Sequence, residues 1–162
     1  SYHDHSAELG ASFCDALLTP TALYTSPLLR VLEDPSLDGA IHSLSHVTGG
    51  GIAANLARVL PVGSWIELDR GTWSPLPVFR DLADLGGHSL DSLEGAWNLG
   101  VGMFAVVSAA QATQVAAALT AEGLETWVAG TISTSARDFT GFEQGAKGVD
   151  GGAVRLVGSY AS

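Results

Sequence analysis

Apolar and polar or small positions alternate over residues 40–47, the period-two signature of a strand with one buried face. Three glycines follow. Ile52, Leu56, Val59 and Leu60 then recur at helical spacing, which predicts a helix over 52–60 with a single buried stripe. Pro61-Val62-Gly63 ends it, and 65–69 reads as a strand. Pro77 opens a helix that stops at Gly86-Gly87, with Val78, Leu82 and Leu85 facing inward. Upstream, 13–19 reads as a short strand broken by Pro20. Pro27 fits the first turn of a helix through Leu32, closed by Asp34-Pro35-Ser36.

Downstream, 90–96 reads as a short helix and 102–107 as a buried strand. Residues 109–121 form an alanine-rich helix stopped by Gly123, and 126–133 reads as a further strand. Glycine and polar residues dominate 134–152, which predicts a loop or hairpin, and 153–157 returns as a last strand. The polar stretch 1–10, with His3, Asp4 and His5, reads as linker, and 11–162 as one domain. Strands and helices alternate without strict βαβ regularity and without an internal repeat, so the fold class is a layered α+β domain.

The length of 162 residues fits one domain, and 46% hydrophobic residues suffice for a folded core. Cys14 is the only cysteine, which excludes an internal disulfide and a multi-cysteine zinc site, and it reads as an unreactive structural thiol. The formal net charge of −10 leaves Lys147 and six arginines as permanent cations. A nucleic-acid or membrane-surface role needs a basic footprint, so neither partner is expected. An anionic ligand would enter a repulsive field, so its seat must be local: backbone N–H groups and one or two arginines.

The chemistry concentrates in His46-Val47-Thr48-Gly49-Gly50-Gly51. A strand, a glycine turn and a helix N-terminus together make a seat for an anion, usually phosphate. His46 can orient a phosphate or act as acid or base, and it also reads as a backbone-bonded residue at a strand end. His42 lies four residues before it on the same strand face, but no third metal ligand is evident, and no metal site is expected. Thr48 can donate to a phosphate or cap the helix. Asn55 and Arg58 lie three apart on one helix face and offer an amide and a bidentate fork. A second turn at Asn98, Gly100 and Gly102 precedes a strand and allows close approach. Asp69, Arg70 and Trp73 follow a strand and can line a cleft. No P-loop, nucleophile elbow or paired zinc motif is present.

In context, His46-Val-Thr-Gly-Gly-Gly-Ile with Asn55-Leu-Ala-Arg-Val-Leu-Pro61 resembles the HxTGGGxxxNxxRVxP stretch of aminoimidazole ribonucleotide synthetase, phosphoribosylformylglycinamidine cyclo-ligase. Leu17-Leu-Thr-Pro-Thr-Ala-Leu-Tyr24 resembles its LLxPTRIY segment. Asp69-Arg-Gly-Thr-Trp-Ser-Pro-Leu-Pro-Val-Phe79 is similar to its tryptophan-proline-valine-phenylalanine segment, and Trp97-Asn-Leu-Gly-Val-Gly-Met103 to its FNMGVGM. The four motifs stand in the family's order, between about Leu9 and Ile132.

The resemblance implies a layered α/β/α domain with a mixed sheet, corresponding to that enzyme's C-terminal domain; the family's N-terminal ATP-binding domain is absent from this sequence. It implies an ATP-dependent, cytoplasmic ligase of purine biosynthesis, closing formylglycinamidine ribonucleotide to aminoimidazole ribonucleotide with release of ADP and phosphate. It implies ATP and Mg²⁺ in the full-length enzyme, with none tightly bound to this domain. The isolated chain would be inactive, because the phosphoribosyl substrate lies in a cleft completed by the N-terminal domain, which also carries most of the family's homodimer contact. His46 is then the catalytic candidate. Thr48, Gly49, Gly50, Gly51, Asn55, Arg58, Asn98, Gly100 and Gly102 are the substrate-binding candidates. Family cations are replaced at Ala22, Ser26 and Gly95, which leaves a divergent or non-catalytic paralogue as the alternative.

Overall fold

The computed structural model describes residues 3–6, 9–146 and 148–160; parts of the 1–10 and 11–162 spans, residues 1–2, 7–8, 147 and 161–162, lie outside them. The elements, in order, are β1 (His5–Ser6), β2 (Ala11–Ser12), α1 (Phe13–Leu17), α2 (Thr25–Leu32), β3 (Ile41–His46) and α3 (Gly51–Ala57). Then come β4 (Trp65–Asp69), α4 (Pro77–Gly86), β5 (Met103–Val107), α5 (Ala112–Ala121), β6 (Glu143–Ala146) and β7 (Val149–Val157). The stretch read as linker contributes β1, which pairs antiparallel with β2. β3 pairs antiparallel with β5, while β7 lies between a parallel β4 and an antiparallel β6. The β6–β7 hairpin lies within and beyond the predicted 134–152 loop, and its second strand covers 153–157.

Alternation along β5 explains the layers. Met103 and Val107 pack against the core of Leu28, Val31, Val115 and Leu119 from α2 and α5. Phe104 and Val106 pack against the core of Ile52 and Leu56 from α3, with Ile66, Leu68 and Val154. Successive strand side chains point to opposite faces, so helices cover both sides of the strands. β3 keeps the same arrangement by means of a bulge between Ile41 and Ser43. The extra residue, His42, lets Ile41 and Leu44 share the α2–α5 face. Ser45 meanwhile turns to α3, where its hydroxyl donates to Asn55 O at 2.5 Å.

Three expectations are corrected. Residues 13–17 form a helix, not a strand, because Ser12 caps it: its Oγ accepts from Asp15 N at 3.1 Å and donates to Asp15 Oδ2 at 2.7 Å. Leu85 is 73% exposed; the inner face of α4 runs through Ala83, 2% exposed, about 200° round the helix from Leu85. Residues 126–133 form no ladder. Ser133 alone bridges Trp65, and a cavity of about 470 Å³ separates the segment from β5 and α5. The 52–60 helix keeps its regular turns only to Ala57, with Val59 and Leu60 held in tighter turns by bonds to Leu56 O and Ala57 O.

Candidate functional site

The pairing of β3 with β5 brings the two glycine motifs side by side. His46 stands opposite Met103, and Val47 N donates to Gly102 O at 2.9 Å. The turn after β3 is left-handed at both Gly50 (φ 105°) and Gly51 (φ 70°), and Gly51 N donates to Thr48 O at 3.1 Å. A Cβ on Gly51 would lie 1.5 Å from the carbonyl oxygen of Glu94, so only glycine fits there.

Asn55 holds this turn from beneath. It is fully buried, and its Nδ2 donates to Gly51 O at 2.7 Å and Thr48 O at 3.1 Å. The Thr48 hydroxyl lies 3.5 Å from Asn55 Oδ1 and does not cap α3, whose cap is Gly50. Both donors of the Asn55 amide are thus committed to the backbone, which makes it a shaper of the turn. Gly49 and Thr48 remain exposed at the rim. α3 has seven residues, so attraction for an anion rests on single N–H groups more than on a helix dipole. Arg58 ends α3, about 10 Å along the axis from Gly51, and is not brought to the turn.

The second turn is strained. Leu99 has φ 50° and is fully buried, the one non-glycine in the left-handed region among the described residues. Such a conformation persists only where its surroundings hold it, here burial of the leucine and a turn closed by Gly100 N donating to Asn98 Oδ1 at 3.1 Å. Gly102 admits Tyr24: a Cβ there would sit 1.8 Å from the tyrosine hydroxyl. The Tyr24 ring also lies 6.2 Å from that of exposed His46. Tyr24 was absent from the residues expected at the site, although it closes the LLTPTALY motif. His42 turns aside at the bulge to Ser108 Oγ, 3.0 Å away.

Behind the first turn lies an ion pair that the sequence did not announce. Arg70 Nε and Nη2 donate to the two Glu94 carboxylate oxygens at 2.5 and 2.8 Å, with side chains 16% and 14% exposed. The Tyr160 hydroxyl donates to the same carboxylate. The hydrogen bond to Glu94 holds Arg70 above its ordinary pKa. Burial, then Glu94, pushes the Tyr160 phenol well above its usual range. Trp73 stacks edge-on to Tyr160 at 5.4 Å, and its buried Nε1 finds no acceptor among the described residues.

No helix among the described residues is long and apolar enough to cross a membrane, and no group of three or more His, Cys, Asp or Glu there is placed to hold a metal ion. Residues 3–141 match the family model of AIR synthase related protein, C-terminal domain. A Streptomyces fradiae protein, provisionally named a phosphoribosylformylglycinamidine cyclo-ligase, is 37% identical over 95% of this chain and 78% of its own. The phosphoribosylformylglycinamidine cyclo-ligase of Burkholderia cenocepacia is 40% identical over 80% of this chain, and that of Burkholderia multivorans 38% over 82%. The chain spans only 36% and 37% of these two enzymes. The four ordered motifs, the paired glycine turns and the match over 3–141 together place the chain in the AIR synthase related family, as its C-terminal domain.

Proposed function

We propose that the chain is the C-terminal domain of an ATP-dependent cyclo-ligase that closes formylglycinamidine ribonucleotide to aminoimidazole ribonucleotide, releasing ADP and phosphate. The observation that carries this reading is the β3–β5 pairing that sets the 48–51 turn beside the 98–102 turn, in a chain that belongs to this family. Thr48, Gly49 and Gly50 would line the ribose-phosphate side of a cleft, with Asn98, Gly100 and Gly102 beside them. His46, exposed against Tyr24, would face the reacting end as its catalytic group. Asn55 would serve by fixing the turn, and Arg58 would act outside this seat unless the partner domain brings ligand to it. ATP and Mg²⁺ are assigned to the remainder of the full-length protein, as the family resemblance implies. The homodimer and the cytoplasmic setting are carried over with the family.

A second reading, a divergent paralogue, is favoured by one observation. Arg70, which pairs with the residue behind the turn, is neutralised by that Glu94 carboxylate, and exposed Ala22, Ser26 and Gly95 stand where the family carries cations. The test is aminoimidazole ribonucleotide formation from formylglycinamidine ribonucleotide and ATP, comparing the full-length protein with this chain alone. Product from the full-length protein only is the expected result. No product from either, with both folded, would transfer the assignment to the paralogue.

A further inference from the structure

Four segments far apart in sequence meet at one residue, Glu94. Glu94 lies in the turn that leads into Asn98. Its carboxylate is gripped by Nε and Nη2 of Arg70, from the turn after β4. It also accepts from Tyr160, just past the end of β7. Arg70 reaches the same tail a second time, its Nη1 donating to Gly158 O at 3.2 Å. On the other side, the Glu94 carbonyl lies against the Cα of Gly51, so closely that a Cβ would stand 1.5 Å from it. The carboxylate therefore does not face the turn; the backbone of the same residue does.

We propose that Glu94 is a positioning residue for the 48–51 turn, locked by Arg70 and by Tyr160 at the chain's C-terminal end. The side chain fixes the residue, and the carbonyl of that residue forms the back wall of the glycine turn. A bidentate guanidinium–carboxylate pair fixes orientation as well as distance, which a single hydrogen bond does not. Tyr160 adds the third contact, and its ring is itself clamped by Trp73 at 5.4 Å. Release of the tail frees the carboxylate on one side, lets the Glu94 carbonyl recede and loosens Gly50 and Gly51. The tail thereby regulates the turn. Its bearing on ligand affinity rests on the reading of that turn as the phosphoribosyl seat. Tyr160 lies beyond the 3–141 span that matches the family model.

The test is residue-level amide hydrogen exchange on the full chain, for the native protein, Tyr160→Phe, Glu94→Gln and Glu94→Ala, with ribose 5-phosphate titration in parallel. Tyr160→Phe keeps the ring against Trp73 and removes only the hydroxyl. Exchange at residues 50–53 should then accelerate by roughly tenfold or more, the worth of one hydrogen bond to a charged group. Exchange in β3 and β5 should stay unchanged. Glu94→Gln, which retains the shape, should fall between native and Glu94→Ala. Unchanged exchange at 50–53 in Tyr160→Phe, or an equal rise throughout β3 and β5, overturns the lock. Weaker ribose 5-phosphate binding by a similar factor supports the link to the ligand. Faster exchange in the variants, with no ribose 5-phosphate binding even by the native full-length protein, supports the lock and overturns the ligand reading of the turn.

Discussion

Gly51→Ala isolates the tightest packing at the site. The new methyl group would sit 1.5 Å from the Glu94 carbonyl oxygen and 2.7 Å from its carbon. These are backbone atoms and cannot rotate away, and the loop that carries them is held by Arg70 and Tyr160. The methyl group also meets a left-handed backbone, φ 70°, which costs an L-residue about 1 kcal/mol. Forcing the loop outward adds about 1–3 kcal/mol of overpacking. The sum is about 2–4 kcal/mol, and with a urea slope of about 2 kcal/mol per molar the midpoint should fall by about 1–2 M. Gly49→Ala is the matched control: no atom lies within 4 Å of its Cβ position, and its φ is not left-handed. Its cost should stay within about 0.5 kcal/mol. Equal midpoints for the two variants would refute the claim that Glu94 closes the back of the turn.

Two further outcomes test the fold. Leu85→Ala should change stability by less than about 0.5 kcal/mol. Leu119→Ala, which empties a buried position between α5 and α2, should cost about 2–5 kcal/mol in the same urea titration. Glu67 accepts from Arg155 and Arg137, and those bonds, Arg155's first, lower its pKa below the ordinary 4.5. A depressed folded-state pKa means its contribution is complete above about 4.5 and is lost as pH falls through the folded value. Melting temperature should therefore decline between pH 6 and 3 more steeply in the native protein than in Glu67→Gln; identical slopes would remove Glu67 from the acid response.

Local pattern was legible where the core imposed it. The alternation over 40–47 and the Pro77 start survive in β3 and α4 because each reports which side chains a neighbour must bury. The short helix at Phe13–Leu17 reads as a strand in the sequence although Ser12 and Asp15 carry the capping signal, because three apolar residues in a row mask it. The bulge at His42 has no local mark: it follows from the need to turn both Ile41 and Leu44 to α2 and α5. The glycine motif itself was readable from His46 to Gly51. What Asn55 does with its amide was not, since the same residue type suits a ligand or a backbone carbonyl, and only burial decides. Glu94 and Tyr160 are separated by 66 residues, and no periodicity or motif links them.

The distribution of charge argues for a seat completed from outside the chain. With a net charge of −10, the cations carry the burden of attracting an anion. Arg30 pairs with Glu122, Arg70 with Glu94, and Arg137 and Arg155 share Glu67. Arg58 forms no ion pair among the described residues, but it stands at the far end of α3. These five arginines bring no uncompensated positive charge to the 48–51 turn, whose own donors are backbone N–H groups in a negative chain. Each such group offers only a neutral donor, about half as strong as a charged one. An isolated turn of this kind holds phosphate weakly, whereas the same turn facing a cation-bearing surface would share the charge across a cleft. The geometry of the turn is complete within the chain, and its electrostatics are not. Binding of ribose 5-phosphate should accordingly be far tighter to the full-length protein than to these 162 residues. Equal affinities would mean that backbone groups alone suffice, and would detach the seat from any second domain.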